Sequence, residues 1–235
     1  MTETSDRNRE LMAATPMFQG VPDSQLDALA RQARMLKLVP REVLFGKGDP
    51  GDSMYLVVSG RVRVGVVSVE GREVTYALIG PGQMFGEIAI LDGGPRSADA
   101  TAAESSELLV IERRDILAFI RANGDYGLRL IEMLCARLRH ANELLEDTVF
   151  LSLPIRMAKQ LLNLSDTIGE RQPNDEGVTI RMSQQAVADY MGISRESVNK
   201  VLSRWEQGGL VSLWRGQITI RSREGLSRFL VDDGR

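Results

Sequence analysis

The sequence of 235 residues contains one cysteine, Cys135, and one histidine, His140. A single thiol excludes an internal disulfide and fits a reducing compartment. One cysteine and one histidine leave no clustered ligand set for zinc or for a metallohydrolase, so no catalytic and no metal-ligating residue is assigned. No apolar run approaches the ~20 residues that cross a bilayer. The first residues, MTETSDRNRE, are polar and mixed in charge, and they read as neither signal peptide nor anchor. The expectation is a cytoplasmic protein with no membrane partner. An excess of positive charge is also lacking. The chain has 29 Lys and Arg against 32 Asp and Glu, a net charge of −3, which taken whole argues against a nucleic-acid partner.

The distribution of that charge argues otherwise. Residues 154–235 hold 12 basic and 10 acidic side chains, which leaves 17 and 22 for residues 1–153. Within 177–228 the balance is 8 to 4, so positive charge gathers where local charge matters for phosphate contact. Hydrophobic residues make up 43% of the chain, enough for a buried core throughout.

Taken in order, residues 1–15 show no strong pattern and are expected to be loosely held. Ser24 to Leu38 has apolar residues at helical spacing behind the start signal Pro22-Asp23-Ser24, which predicts a short helix. From Val39 to Val110 the rhythm becomes short Val, Leu and Ile runs cut by glycine turns. These fall at Gly46–Asp52, Ser59-Gly60, Glu70-Gly71-Arg72 (a hairpin tip) and Gly80-Pro81-Gly82. Such spacing predicts an antiparallel barrel or jelly roll enclosing a pocket. A short helical segment begins at Asp115 and breaks at Asn123-Gly124-Asp125.

A longer helix from about Tyr126 carries a heptad seam. Leu128, Cys135, Asn142 and Val149 occupy one position, and Ile131, Leu138 and Leu145 the other. The simplest partner for this seam is the same helix of a second chain. On it, Cys135 is expected to be a small buried hydrophobe and Asn142 to fix register. Ser152-Leu153-Pro154 reads as a hinge before a helix at Ile155–Leu164, and the polar stretch Glu170–Gly177 as a loop.

Two N-caps follow. Ser183 precedes a helix over Gln184–Met191, and Ser194, just after Gly192, precedes one over Arg195–Gln207. Two short helices joined through glycine form a helix-turn-helix. Leu210 to Ile220, with its tip at Trp214-Arg215-Gly216-Gln217, reads as a small hairpin wing. The second helix turns Arg195, Glu196, Asn199 and Lys200 away from its apolar face. Arg suits guanine O6 and N7, and Glu accepts from cytosine N4. Arg215, with Arg221 and Arg223 nearby, is expected to touch phosphates.

The stretch Phe85–Ala98, FGEIAILDGGPRSA, suggests anion capture. A glycine turn before a short helix offers free N–H groups, Arg96 a planar fork for two phosphate oxygens, and Ser97 a hydroxyl. Glu87 accepts from hydroxyls such as a ribose 2′-OH. A glycine-rich turn with an Arg–Glu surface pair is the plainer alternative. FGE…PRSA resembles the phosphate-binding cassette of cyclic-nucleotide-binding domains, and SRESVNKVL resembles the recognition helix of the cyclic-AMP receptor protein (CRP/FNR) family of bacterial regulators. The resemblance runs from about Phe18 to the last turns.

It implies an α+β chain with three parts: an antiparallel β-roll binding cyclic nucleotide (18–125), a dimerisation helix and hinge (126–152), and a winged helix-turn-helix (153–235). It implies cyclic AMP as ligand, with cyclic GMP as runner-up. Gly86 and Glu87 would meet the ribose, Arg96 and Ser97 the phosphate, and Asn142 the purine, with Ala141 departing from the family's usual Thr or Ser. It further implies a homodimer through Leu128, Ile131, Cys135, Leu138 and Leu145, a palindromic TGTGA-type DNA site, and RNA polymerase as a further partner. Lys200 stands where many relatives carry Arg. An enzyme acting on cyclic nucleotides would want a metal or base that the chain lacks. One Cys and one His also fit poorly with the haem or iron–sulfur sensing of some relatives. A member that answers another signal, or that binds DNA without ligand, is the alternative carried forward.

Overall fold

The computed structural model describes residues 3–68, 73–171 and 177–231, and the predicted hairpin tip at Glu70-Gly71-Arg72 lies outside them. They fall into two compact units. One comprises residues up to Ser68 with Thr75–Leu138, and the other mainly the chain from Arg139 onward.

The N-terminal unit opens with a helix where a loose segment was expected. Helix α1 (Glu3–Ala13) packs on α2 (Asp23–Gln32), with a 3-10 turn at Pro16–Phe18 between them. Buried Asn8 donates from Nδ2 to the carbonyls of Ala30 (3.1 Å) and Ala33 (2.9 Å), groups at the end of α2 with no partner further along that helix. Met12 and Phe18 are buried beside it. Much of the inward face of α1 is polar (Ser5, Asn8), which is why apolar periodicity does not reveal it. Helix α2 also stops earlier than its spacing predicts. Ala33 is extended (φ −74°, ψ 142°), and Arg34–Leu38 forms strand β1. Pairing with a neighbouring strand from Arg34↔Val110 to Leu38↔Ser106 overrides the helical pattern there.

Seven further strands complete two sheets: β2 (Val43–Phe45), β3 (Ser53–Ser59), β4 (Val62–Val67), β5 (Glu73–Ile79), β6 (Met84–Phe85), β7 (Asp99–Ala102) and β8 (Ser106–Glu112). Their orders are β1-β8-β3-β6 and β2-β7-β4-β5, the expected β-roll. Strand β3 shows how the layers form. Side chains alternate across a strand, so Tyr55 and Val57 join Val62, Phe85, Ala100 and Val110 in a core shared by both sheets. Met54 and Leu56 face the other way, against Phe18, Leu26, Leu29 and Ile116. Helix α3 (Glu87–Asp92) follows β6, and α4 (Arg113–Ala122) leads into α5 (Gly124–Phe150), a helix of 27 residues.

The second unit begins with α6 (Leu153–Ile168), where Ser152 stands at the N-cap and Pro154 in the first turn. Part of the expected loop is strand: β9 (Glu170–Arg171) pairs with β10 (Val178–Ile180), and residues 172–176 lie outside the described chain. Helices α7 (Gln184–Met191) and α8 (Arg195–Gln207), a hairpin of β11 (Val211–Trp214) and β12 (Gln217–Ile220), and α9 (Arg223–Val231) complete it. The sheet order is β11-β12-β10-β9. Leu161, Val187, Val198, Leu202, Trp205 and Ile218 share one core. The apolar faces of the helix-turn-helix are thereby consumed, and its polar face is left outward.

Candidate ligand cassette and nucleic-acid interface

The cassette is built around a glycine that nothing else replaces. Gly86 lies in the left-handed region (φ 83°), and a Cβ there would sit 2.8 Å from Nη1 of Arg96. Arg96 itself is 4% exposed. It donates from Nη2 to the Ser53 carbonyl (2.7 Å) and from Nη1 to the Gly86 carbonyl (3.1 Å). Its guanidinium lies 4.2 Å from the ring centroid of Phe45 and 5.5 Å from that of Tyr55, which stacks on Phe85. Aromatic faces attract a guanidinium, and more strongly once water is removed. Burial raises the Tyr55 phenol above its ordinary value, although the charge of Arg96 acts against this. The main chain of Arg96 is pinned as well, giving its N–H to Asp49 (2.8 Å) and accepting from Gly48 (2.9 Å). Asp99 ties down the neighbouring loops, accepting from the amides of Lys47 (2.7 Å) and Val67 (3.1 Å).

Glu87 opens α3 and is 2% exposed. Arg137 of α5 donates to its carboxylate and, through its second terminal nitrogen, to the Met84 carbonyl. The heptad pattern places Arg137 only among the polar residues beside the seam, so its role here is not predicted. Its charge gives no signal, because the reach of a long side chain from one element to another leaves no periodic trace. Two buried atoms of this cluster, Oε2 of Glu87 and Nε of Arg96, have no protein partner among the described residues.

The structure therefore brings Gly86, Glu87 and Arg96 together and adds Arg137. The Ser97 side chain is exposed. Asn142 is also exposed and belongs to the other compact unit. On α5, Leu128, Ile131, Leu138, Leu145 and Val149 are each between 57% and 65% exposed, so one face of this helix is apolar and uncovered in the single chain. Cys135, on the same helix, is likewise exposed in the single chain.

In the second unit both predicted caps form. Oγ of Ser183 accepts from the Ala186 amide (3.1 Å), and Oγ of Ser194 from the Ser197 amide (3.2 Å). Gly192 makes the left-handed turn between the helices (φ 66°). Val198, Val201, Leu202 and Trp205 face the core, while Arg195, Glu196 and Lys200 are exposed and Asn199 is half-buried.

The wing arginines separate into two kinds. Arg223 makes a bidentate pair with Asp166 (2.7 Å each) that fastens α9 to α6, and Arg221 donates to Ser212 (3.0 Å). The hydrogen bond from Arg223 holds the Asp166 carboxyl below its ordinary value. Arg221 and Arg223 thus each have a partner within their own unit. Arg215 instead stands at the tip, its guanidinium 5.1 Å from the ring centroid of Trp214. Among the described residues no group of three His, Cys, Asp or Glu is placed to hold a metal, and no helix is long and apolar enough to cross a membrane.

Comparison with known proteins agrees with this geometry. Residues 35–123 match the family model of the cyclic nucleotide-binding domain, and residues 155–229 that of the Crp-like helix-turn-helix domain. A CRP-like cAMP-activated global transcriptional regulator of Mycobacterium tuberculosis is 34% identical over 219 residues, covering 93% of this chain and 98% of the relative. Among solved structures, a CRP/FNR-family regulator from Thermus thermophilus superposes with a TM-score of 0.70 at 26% identity, covering 86% of this chain and all of that one. The c-di-GMP responsive regulator CLP of Xanthomonas campestris shares the fold, with a TM-score of 0.72 at 21% identity over 86% of this chain and all of that one.

Proposed function

Because the chain belongs to the CRP/FNR family of transcription regulators, we propose that it works as a homodimer that binds cyclic AMP in the β-roll and then a palindromic TGTGA-type DNA site through α8. The observation that carries the ligand reading is the pair of buried atoms without protein partners among the described residues, Glu87 Oε2 and Arg96 Nε. Buried polar groups demand partners. A ribose hydroxyl is a donor for the first, and a cyclic phosphate an acceptor for the second. Ser97 is exposed beside Arg96 and adds a hydroxyl to the phosphate side. Asn142 supplies one donor and one acceptor for a purine.

The apolar face of α5 supports the dimer. Five large aliphatic side chains on one helix face, each more than half exposed, are the pattern of a seam awaiting its twin. A two-fold dimer carries two copies of α8 and requires a two-fold symmetric site. Arg195 and Glu196 then each read a G·C pair, with Asn199 and Lys200 completing the exposed face. The ligand acts by binding the DNA-competent state more tightly than the other. RNA polymerase is the further partner, and the cytoplasm the compartment, in this reading.

Titration calorimetry with cyclic AMP, cyclic GMP and c-di-GMP tests the ligand. Heat of binding with cyclic AMP that is abolished in Glu87→Gln supports the reading, and none with any of the three removes it. Sedimentation of Leu138→Glu tests the dimer, since a charge buried against its twin is expected to dissociate the chains. A Leu138→Glu protein that stays dimeric places the interface elsewhere. A second reading, a family member that answers another signal, draws on Arg137. Glu87 already has a cationic partner, and Ala141 offers no hydrogen bond to a purine. Binding of c-di-GMP alone would favour it.

A further inference from the structure

The wing tip is built in a way that stability does not explain. The turn joining β11 to β12 has two central residues, Arg215 and Gly216, both with positive φ (44° and 77°). This is the tightest way to reverse a hairpin, and it favours Asn or Gly at both positions. Arginine there carries the steric penalty of a Cβ in the left-handed region. Its neighbour Trp214 is 68% exposed, although so large an aromatic stabilises a fold only where it is covered. The two side chains pack on each other, with the guanidinium over the indole. A strained residue and an uncovered aromatic together mark a tip shaped for a partner.

The surroundings identify that partner. A groove of about 480 Å³ runs between this tip and the helix-turn-helix. It is lined by Leu213 to Ile218 of the hairpin and by Ser183, Gln185 and Arg195 of the helix-turn-helix. Arg195 is the first residue of the helix proposed above to read bases, so the wing tip and the reading end of α8 line one groove. In duplex DNA the feature beside the major groove is a single phosphodiester ridge, and beyond it lies the minor groove. The excess of basic residues in this segment, 8 against 4 over 177–228, suits the ridge.

We propose that this ridge seats in the groove while Arg215, stiffened on the Trp214 face, enters the minor groove beyond it and prefers A·T-rich flanks. The minor groove displays only acceptors at A·T pairs, whereas G·C adds the guanine 2-amino donor, and narrow A·T tracts concentrate negative potential that draws arginine. Arg215 thereby adds sequence preference outside the half-site read by α8, a role different from a plain phosphate contact. The inference rests on the DNA reading above.

Inosine separates the two roles, because an I·C pair keeps the major groove of G·C but lacks the 2-amino group. The full-length protein is titrated, with and without cyclic AMP, against duplexes carrying the palindrome. The pairs on either side of each half-site are A·T, G·C or I·C. Wild type is expected to bind A·T and I·C flanks alike, and about five- to tenfold more tightly than G·C flanks. Arg215→Asn keeps the turn, since Asn suits the left-handed position, and is expected to lose the preference. Trp214→Ala is expected to reduce it. Equal affinity of the wild type for all three flanks, or a preference that survives in Arg215→Asn, overturns the proposal while the palindrome remains bound over scrambled DNA. No discrimination between palindrome and scrambled DNA overturns the underlying DNA reading as well.

Discussion

Arg96 and Arg215 are both arginines on aromatic rings, one inside the β-roll and one at the wing tip, and their surroundings differ in every other respect. Arg96 is 4% exposed, bonded to two carbonyls and pinned through its own main chain. Arg215 is exposed and rests on an indole that is itself 68% exposed. The same side chain therefore serves two purposes. In the cassette it is part of the fold, so in the proposed function ligand and scaffold would share one residue. At the wing it is outside the core, so its loss is expected to be felt by the partner and not by the protein.

The largest effect tests the first half of that contrast. Arg96→Ala leaves the Ser53 and Gly86 carbonyls without their donor and is expected to lower stability by about 2–4 kcal/mol as well as to abolish nucleotide binding. Thermal unfolding alongside calorimetry checks this, and an unchanged melting temperature would break the comparison. Gly86→Ala comes next. The left-handed φ and the approach to Arg96 predict a loss of about 1–3 kcal/mol by the same unfolding measurement.

Arg137→Gln removes a charged partner from Glu87 without emptying the core. Because Glu87 is 2% exposed, losing that partner is expected to lower the melting temperature and to weaken cyclic AMP binding about tenfold, read by thermal unfolding and calorimetry. Arg215→Asn should leave the unfolding curve in place, or raise it slightly through relief of the strained φ. A clear drop in melting temperature would show that the tip belongs to the fold after all.

The smallest effect concerns a fourth arginine, Arg223, paired on the surface with Asp166. The carboxyl is held below its ordinary value. Its stabilising contribution is therefore complete above the usual Asp range and fades as the pH falls through the lowered value. Wild type and Asp166→Asn should differ slightly in melting temperature at pH 7 and converge in strong acid.

Local signals are legible where one short segment decides its own structure. Ser183, Gly192 and Ser194 announce two helices and the turn between them, and both helices occur at the bounds their caps predict. Gly86 and Arg96 stand out because glycine and arginine occupy one short segment. The resemblance to a known family then supplies the cyclic nucleotide-binding and helix-turn-helix domains, which spacing alone does not name. What escapes depends on contacts between distant segments. Arg34–Leu38 is strand because β8 lies beside it, and Arg137 matters because it reaches Glu87, 50 residues away in sequence. Arg221 and Arg223 look like their neighbour Arg215 in sequence. Ser212 and Asp166, supplied by the fold, give them partners that their positions in the sequence do not reveal.

The bond from Asn8 to the end of α2 has a practical consequence. Because its side chain bridges Ala30 and Ala33 from helix α1, α1 is part of the N-terminal unit and its removal would be felt at the end of α2. A shortened expression product beginning near Pro16 would uncover Phe18 and Leu26 and leave two carbonyls without their donor. It is expected to be recovered as aggregate.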